Sequence, residues 1–242
     1  MSDIDPGTPG NGGMSALTAR KVTNMRAATI VRLVAPHAKQ NYLAAFDAGD
    51  ALLAEHEITT PLRLAHFLAQ VMHETDALTI EEESGNYSAT RLIAVFGGRR
   101  HRITSAESLH LAHNPEAIFN RVYGIEGTNN PRILAHELGN TEPGDGYRYR
   151  GRGILQTTGR GNYRRMGQKC GVDFESNPEL VLSAEHALKP ALAEWTEGTL
   201  NVAADRDDIV AITRRINGPG MNGLADRKQW LAKVRRAMTG DS

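Results

Sequence analysis

The chain has 242 residues, of which 40 % are hydrophobic and 23 % charged. This is the balance of a globular protein with one domain, or one domain and a tail. Lysine and arginine together match aspartate and glutamate at 28 each, so the formal net charge is zero and the basic excess of a nucleic-acid-binding domain is absent. One cysteine, Cys170, excludes an intrachain disulfide and a cysteine-built metal site. It fits a protein made in a reducing cytoplasm without proving one.

In chain order, the first residues are polar, acidic and rich in Gly and Pro. They have almost nothing to bury and read as a disordered tail over 1–17, the reverse of a secretory signal. Helical character starts near Thr18. Ala27–Val34 precedes Pro36, and 37–55 carries Leu43, Phe46, Leu52 and Leu53. Thr59 and Thr60 are cap candidates before Pro61, which suits a first helical turn. From Leu62 to about Thr75, Leu64, Phe67, Leu68 and Val71 recur every three or four residues, an amphipathic helix. Helices are also expected over 88–96 and 105–123. The stretch 139–162 is punctuated by glycine and reads as loop, with short strands around 147–149 and 154–157. Helical periodicity returns at Leu188, Ala191, Leu192 and Trp195, kinked at Pro190. It continues at Ile209, Ile212 and Ile216, then at Leu231, Val234 and Met238. No internal repeat is present, and no apolar run approaches the roughly 18 residues needed to span a bilayer.

Two acidic features stand out. Glu74 follows Phe67 and Val71 at helical spacing and falls at the helix C-terminus. Partial desolvation and the negative helix end both raise a carboxyl pKa there, which suits a general acid. The plainer alternative is a glutamate that ends a helix by bonding backbone or an arginine. Glu81, Glu82 and Glu83 form an acidic run on a loop, taken alone a solvated surface. His66, Gln70 and His73 share a helix face, but the zinc-helix pattern needs a second His at position 77, which is Ala. Packed or hydrogen-bonded histidines are the expectation.

Between Gly144 and Gly153, tyrosine and arginine alternate in Gly-Asp-Gly-Tyr-Arg-Tyr-Arg-Gly-Arg-Gly. Such a strip suits a carbohydrate groove, where rings stack on sugars and guanidinium groups bind hydroxyls or carboxylates. It is no phosphate loop, because no Gly-Lys-Ser/Thr follows. The run 149–160 (YRGRGILQTTGR) with Asn162-Tyr163 closely resembles the central signature of glycoside hydrolase family 19, which includes chitinases and phage endolysins. His66-Phe67-Leu68-Ala69-Gln70 with His73-Glu74-Thr75, then Asn86-Tyr87-Ser88-Ala89, fit the same pattern. So do 213–218 (TRRING) and 222–227 (NGLADR), in family order from about 60 to 230.

The resemblance implies a mainly α, lysozyme-like α+β fold: a helical domain with a small glycine-rich β or loop element lining a substrate groove, here a single catalytic domain over 18–242. It implies Glu74 as general acid and Glu83 as general base, with Glu81 and Glu82 as alternative bases. Thr158 would hold the attacking water. Gln156, Asn162, Tyr163, Asn217 and Arg227 are candidate substrate-binding residues; Tyr163 either packs in the core or lines the groove. Asn217-Gly218 also reads as a helix C-cap. The segment from Asn217 to Asn222 runs one residue longer than the family pattern.

Family resemblance leaves chitin and peptidoglycan open. The single compact domain and the Tyr/Arg run resemble phage endolysins of Gram-negative hosts, which implies cleavage between N-acetylmuramic acid and N-acetylglucosamine. A chitinase, or a non-catalytic glycan-binding module, is the alternative. Peptidoglycan strands are the expected partner, with no metal, no cofactor, no nucleic acid and a monomeric state. Synthesis in the host cytoplasm and action at the wall in the periplasm are implied, with export by another agent. The run Arg227, Lys228, Lys233, Arg235 and Arg236 suggests either weak contact with an anionic membrane or, more plainly, a solvated helix face.

Overall fold

A computed structural model describes residues 26–98, 101–126 and 131–240. The expected tail at 1–17 and the onset of helix at Thr18 lie outside them. Fourteen α-helices are found among the described residues: α1 Ala27–Val34, α2 Gln40–Ala48, α3 Asp50–Glu55, α4 Pro61–Glu74, α5 Ala89–Phe96, α6 Ser105–Leu111, α7 Pro115–Tyr123, α8 Pro131–Glu137, α9 Asp145–Arg148, α10 Arg160–Cys170, α11 Lys189–Glu197, α12 Leu200–Asp205, α13 Ile209–Asn217 and α14 Leu224–Thr239. A 3₁₀ turn spans Pro178–Leu182. Two isolated β-bridges, Glu82 with Arg152 and Arg152 with Thr157, are the β structure of the described residues. The protein is mainly α with a small glycine-rich element, as expected.

Helix starts follow local chemistry. Thr60 caps α4 by accepting from the Arg63 N–H, with Pro61 in the first turn, where its missing N–H costs nothing. The expected helix 37–55 is two helices meeting at Gly49. The expected helix 105–123 is also two, because Pro115 cannot continue α6 and instead opens α7 behind an Asn114 cap. Pro190 does not kink a helix; it lies in the first turn of α11. No strand forms at 147–149, where Asp145–Arg148 is one helical turn. Helix α10 begins inside the segment read as loop, behind Gly159 at φ 91°.

The main core joins α1–α4 to α11–α14 through residues such as Phe46, Leu68, Met72, Trp195, Ile212 and Val234. Each large side chain fully buried there contributes about 1.5–3 kcal/mol of transfer free energy. A second cluster, on Leu92, Phe96, Ile118 and Phe119, ties α5 to α7. A third, on Tyr149, Tyr163, Met166 and Phe174, supports the glycine-rich segment and α10. Leu155 packs against the first and third clusters, so the glycine-rich segment is anchored at the seam between them.

Helix α14 packs against α4 and is part of the main core. Leu231, Val234 and Met238 are buried. Three of its five cations are engaged internally: Arg227 is wholly buried, Lys233 donates to the Val34 carbonyl at 2.8 Å and Arg235 pairs with Asp207. Lys228 and Arg236 have no ion-pair partner among the described residues, and the apolar face of the helix is packed inward.

Candidate active site

A cavity of about 660 Å³ opens at the seam. Glu74, Gln156, Thr158, Asn162 and Asn217 line it together, so five of the eight expected site residues converge on one cleft from α4, the glycine-rich loop, α10 and the end of α13. Its apolar floor includes Phe67 and Trp195, packed edge to face with ring centroids 5.5 Å apart.

Glu74 closes α4, and its side chain is 27 % exposed. It meets an arginine, the plainer of the two readings of its position. Arg227 of α14 donates through Nη2 to Glu74 Oε1 and to Asn217 Oδ1, the latter at 2.9 Å. Its Nη1 donates to Gln70 Oε1. With 0 % of its surface exposed, Arg227 sits behind the acid. Unlike Glu74 and Asn217, it does not line the cavity, and its contact with the cleft runs through those two side chains. One residue back on both helices, His73 Nδ1 pairs with Asp226 Oδ2 at 2.6 Å. The His73 ring packs on Gly223, where a Cβ would lie 2.3 Å from it; φ is 77° at that glycine, so its backbone needs glycine as well.

The acidic run resolves into three environments. Glu81 is 3.7 Å from Lys39 Nζ. Glu82 bonds Arg150 at 2.7 Å and Arg152 at 3.1 Å. Glu83 has no ion-pair partner among the described residues; instead the Tyr123 hydroxyl lies 3.4 Å from both its oxygens. Burial pushes the Glu83 carboxyl above its usual range, against the smaller opposing effect of hydrogen bonds from Tyr123 and Gly151. Glu83 does not line the cavity but is joined to it: its backbone N–H donates to the Gly151 carbonyl at 2.8 Å. A Cβ on Gly151 would lie 3.2 Å from both Gln156 Oε1 and Thr158 Oγ1. Thr158 thus lines the cavity with Glu74 and adjoins the glycine to which Glu83 is bonded.

The glycine-rich loop is held from below. Gln156 has φ 47°, an uncommon conformation for a side-chain-bearing residue, and its Nε2 donates to the Gly153 carbonyl at 2.9 Å. Thr158 Oγ1 donates to the Gln156 carbonyl and Asn162 Nδ2 to the Thr158 carbonyl. Tyr163 is fully buried and donates to the Arg150 carbonyl at 2.9 Å; burial pushes its phenol up to about 12. It packs in the core, so of its two readings the groove one falls. Buried Asp145 accepts from the Thr141 and Glu142 N–H groups and from two Arg160 nitrogens. Burial raises its carboxyl, but these bonds outweigh it and hold it below the usual aspartate range.

Pairings such as Arg227 with Glu74 and Tyr123 with Glu83 join residues far apart in the chain and left no periodic trace. The histidines behave as the plainer reading had them, His66 bonding Asp207 at 2.8 Å and His73 bonding Asp226. Asn217 ends α13 and Gly218 follows at φ 71°, so the C-cap and cleft positions coincide.

No family model matches the chain. In overall fold it is similar to chitinase C from Streptomyces griseus, at TM-score 0.57 and 19 % identity over 94 % of this chain and 95 % of that one. A mutant form of chitinase C gives TM-score 0.58 at 19 % identity over 90 % and 95 %. A protein of Haemophilus influenzae described as glycosyl hydrolase family 19 domain-containing is 32 % identical over 195 residues, spanning 79 % of this chain and 86 % of that protein. With that identity over most of both lengths, the chain belongs to glycoside hydrolase family 19.

Proposed function

We propose that the protein is an endolysin-type glycosidase that cleaves peptidoglycan between N-acetylmuramic acid and N-acetylglucosamine with inversion. Glu74, facing the cleft, protonates the leaving oxygen. Glu83 takes a proton from the attacking water, and Thr158 holds that water between them. Gln156, Asn162 and Asn217 bind the sugars on either side. An inverting scheme requires room for a water between two carboxyl groups. The observation that carries the reading is the placement of Thr158, on the cleft with Glu74 and against the glycine to which Glu83 is bonded.

Glu83 suits the base better than its neighbours, because Glu81 and Glu82 are turned to cations. Peptidoglycan is favoured over chitin by Arg165 and Arg215 on the cleft; the Tyr/Arg run lies off it, its arginines bonded to Glu82 and to the Ser176 carbonyl. Purified peptidoglycan and, separately, chitin incubated with wild type and Glu74→Gln provide the test, with products read by mass spectrometry. Muropeptides with a reducing muramic acid end, released by wild type alone, are expected. Soluble chitin oligomers in their place would make the protein a chitinase, and full turnover by Glu74→Gln would remove the assigned acid.

A further inference from the structure

The cleft has a charged end that the two-glutamate scheme does not use. Arg165 follows Asn162 by three residues on α10, about 4.5 Å further along the helix axis. Arg215 precedes Asn217 by two residues on α13. Both line the cavity and both are exposed. Their neighbours are engaged: Arg160 holds Asp145, Arg164 holds Glu175, and Lys169 is bonded to Glu194 and Glu197. Arg165 and Arg215 have no carboxylate within ion-pair distance among the described residues. Glu197 feels both: it is held below the usual glutamate range first by its bond to Lys169 and then by the fields of Lys169, Arg165 and Arg215. Two guanidinium groups from different helices therefore line one cavity with an acid that already has a partner.

A guanidinium presents a planar fork that matches a carboxylate, and a neutral chain of N-acetylglucosamine offers no such group. Muramic acid does: its lactyl ether ends in a carboxylate, either free or extended into a peptide with carboxylates of its own. We propose that Arg165 and Arg215 form a carboxylate subsite, which takes the acidic substituent of a muramic acid residue bound one helical turn beyond the Asn162 and Asn217 positions. The subsite rests on the peptidoglycan reading of the cleft and gives it a basis for discriminating against chitin. It acts in binding, since neither arginine reaches the reacting carboxyl groups.

The test is steady-state cleavage by wild type, by an Arg165→Gln/Arg215→Gln double variant and by the corresponding double lysine variant. Two substrates are used: peptidoglycan with intact peptides, and glycan strands stripped of peptide that keep the lactyl carboxylate. Losing two charge-assisted contacts should raise KM about tenfold with kcat within about twofold, and lysine should restore part of the loss. A rise confined to intact peptidoglycan assigns the peptide carboxylates; a rise on stripped strands assigns the lactyl group; either supports the subsite. Unchanged KM on both substrates overturns the subsite and leaves the peptidoglycan reading standing, as does a loss carried by kcat alone. Failure of wild type to cleave either substrate overturns that reading and the subsite with it. Both arginines are exposed, and matched melting curves would show that the variants fold.

Discussion

The role proposed for Glu83 carries a stability cost. Burial raises its carboxyl pKa with no cation to offset it, so the folded protein holds the Glu83 proton more tightly than the unfolded chain. Stability is then lost as pH rises through the ordinary glutamate value towards the raised one. Glu83→Gln should melt higher than wild type at pH 7, with the advantage vanishing below about pH 4, while cleavage is abolished; equal melting curves at pH 7 would contradict the burial argument. Tyr123 works in the opposite direction, since its hydroxyl favours the ionised carboxylate. Tyr123→Phe should therefore move the acid limb of the kcat/KM profile to higher pH, because the base must be ionised to act. An unmoved limb would mean that the hydroxyl does not tune the base. Glu74 could be picked out of the sequence because helical spacing and a helix end coincide there. Singling out Glu83 from three successive acids needed the family pattern, since its difference from Glu81 and Glu82 lies in which distant side chain each one meets.

At the scale of elements, most helices were legible and their breaks less so. Leu64, Phe67, Leu68 and Val71 gave α4 its boundaries to within a residue or two, because one apolar face meets one core. The glycine-rich segment was misread in part. Tyr147–Tyr149 alternates like a strand, yet one turn of helix forms there, since Asp145 is fastened to the Thr141 and Glu142 N–H groups and to Arg160. That fastening can be tested. Asp145→Asn should cost about 3 kcal/mol by leaving Arg160 without its buried partner, measured by urea unfolding at pH 7. Because the Asp145 carboxyl is held low, its contribution is present above the ordinary aspartate value and lost as pH falls below it. The gap between variant and wild type should close in strong acid. A constant gap down to pH 2 would assign the loss to shape.

Across the whole molecule, α4 and α14 are joined by Arg227 with Glu74 and by Asp226 with His73, each pair 153 residues apart in sequence. Replacing Arg227 with Ala would leave Gln70 and Glu74 without their buried donor. A loss of about 3–5 kcal/mol is expected, or roughly 6–20 °C in Tm at the 2–4 °C per kcal/mol usual for this size, together with loss of cleavage. A melting point within two degrees of wild type would show that the contact is dispensable. Such pairings leave no mark in local pattern, so the basic run at 227–236 looked like a surface until its partners were in view.

The distance between those partners also has a meaning in time. A ribosome releases chain from the N-terminus at about 5–20 residues per second, so the helix bearing Glu74 emerges well before the one bearing Arg227. Until residues 224–239 are out and docked, the acid has neither its guanidinium nor its histidine lock, however well the earlier helices have packed. The contacts behind Glu74 are thus completed by a helix made well after the one that bears it, and a polypeptide without residues 224–239 lacks them.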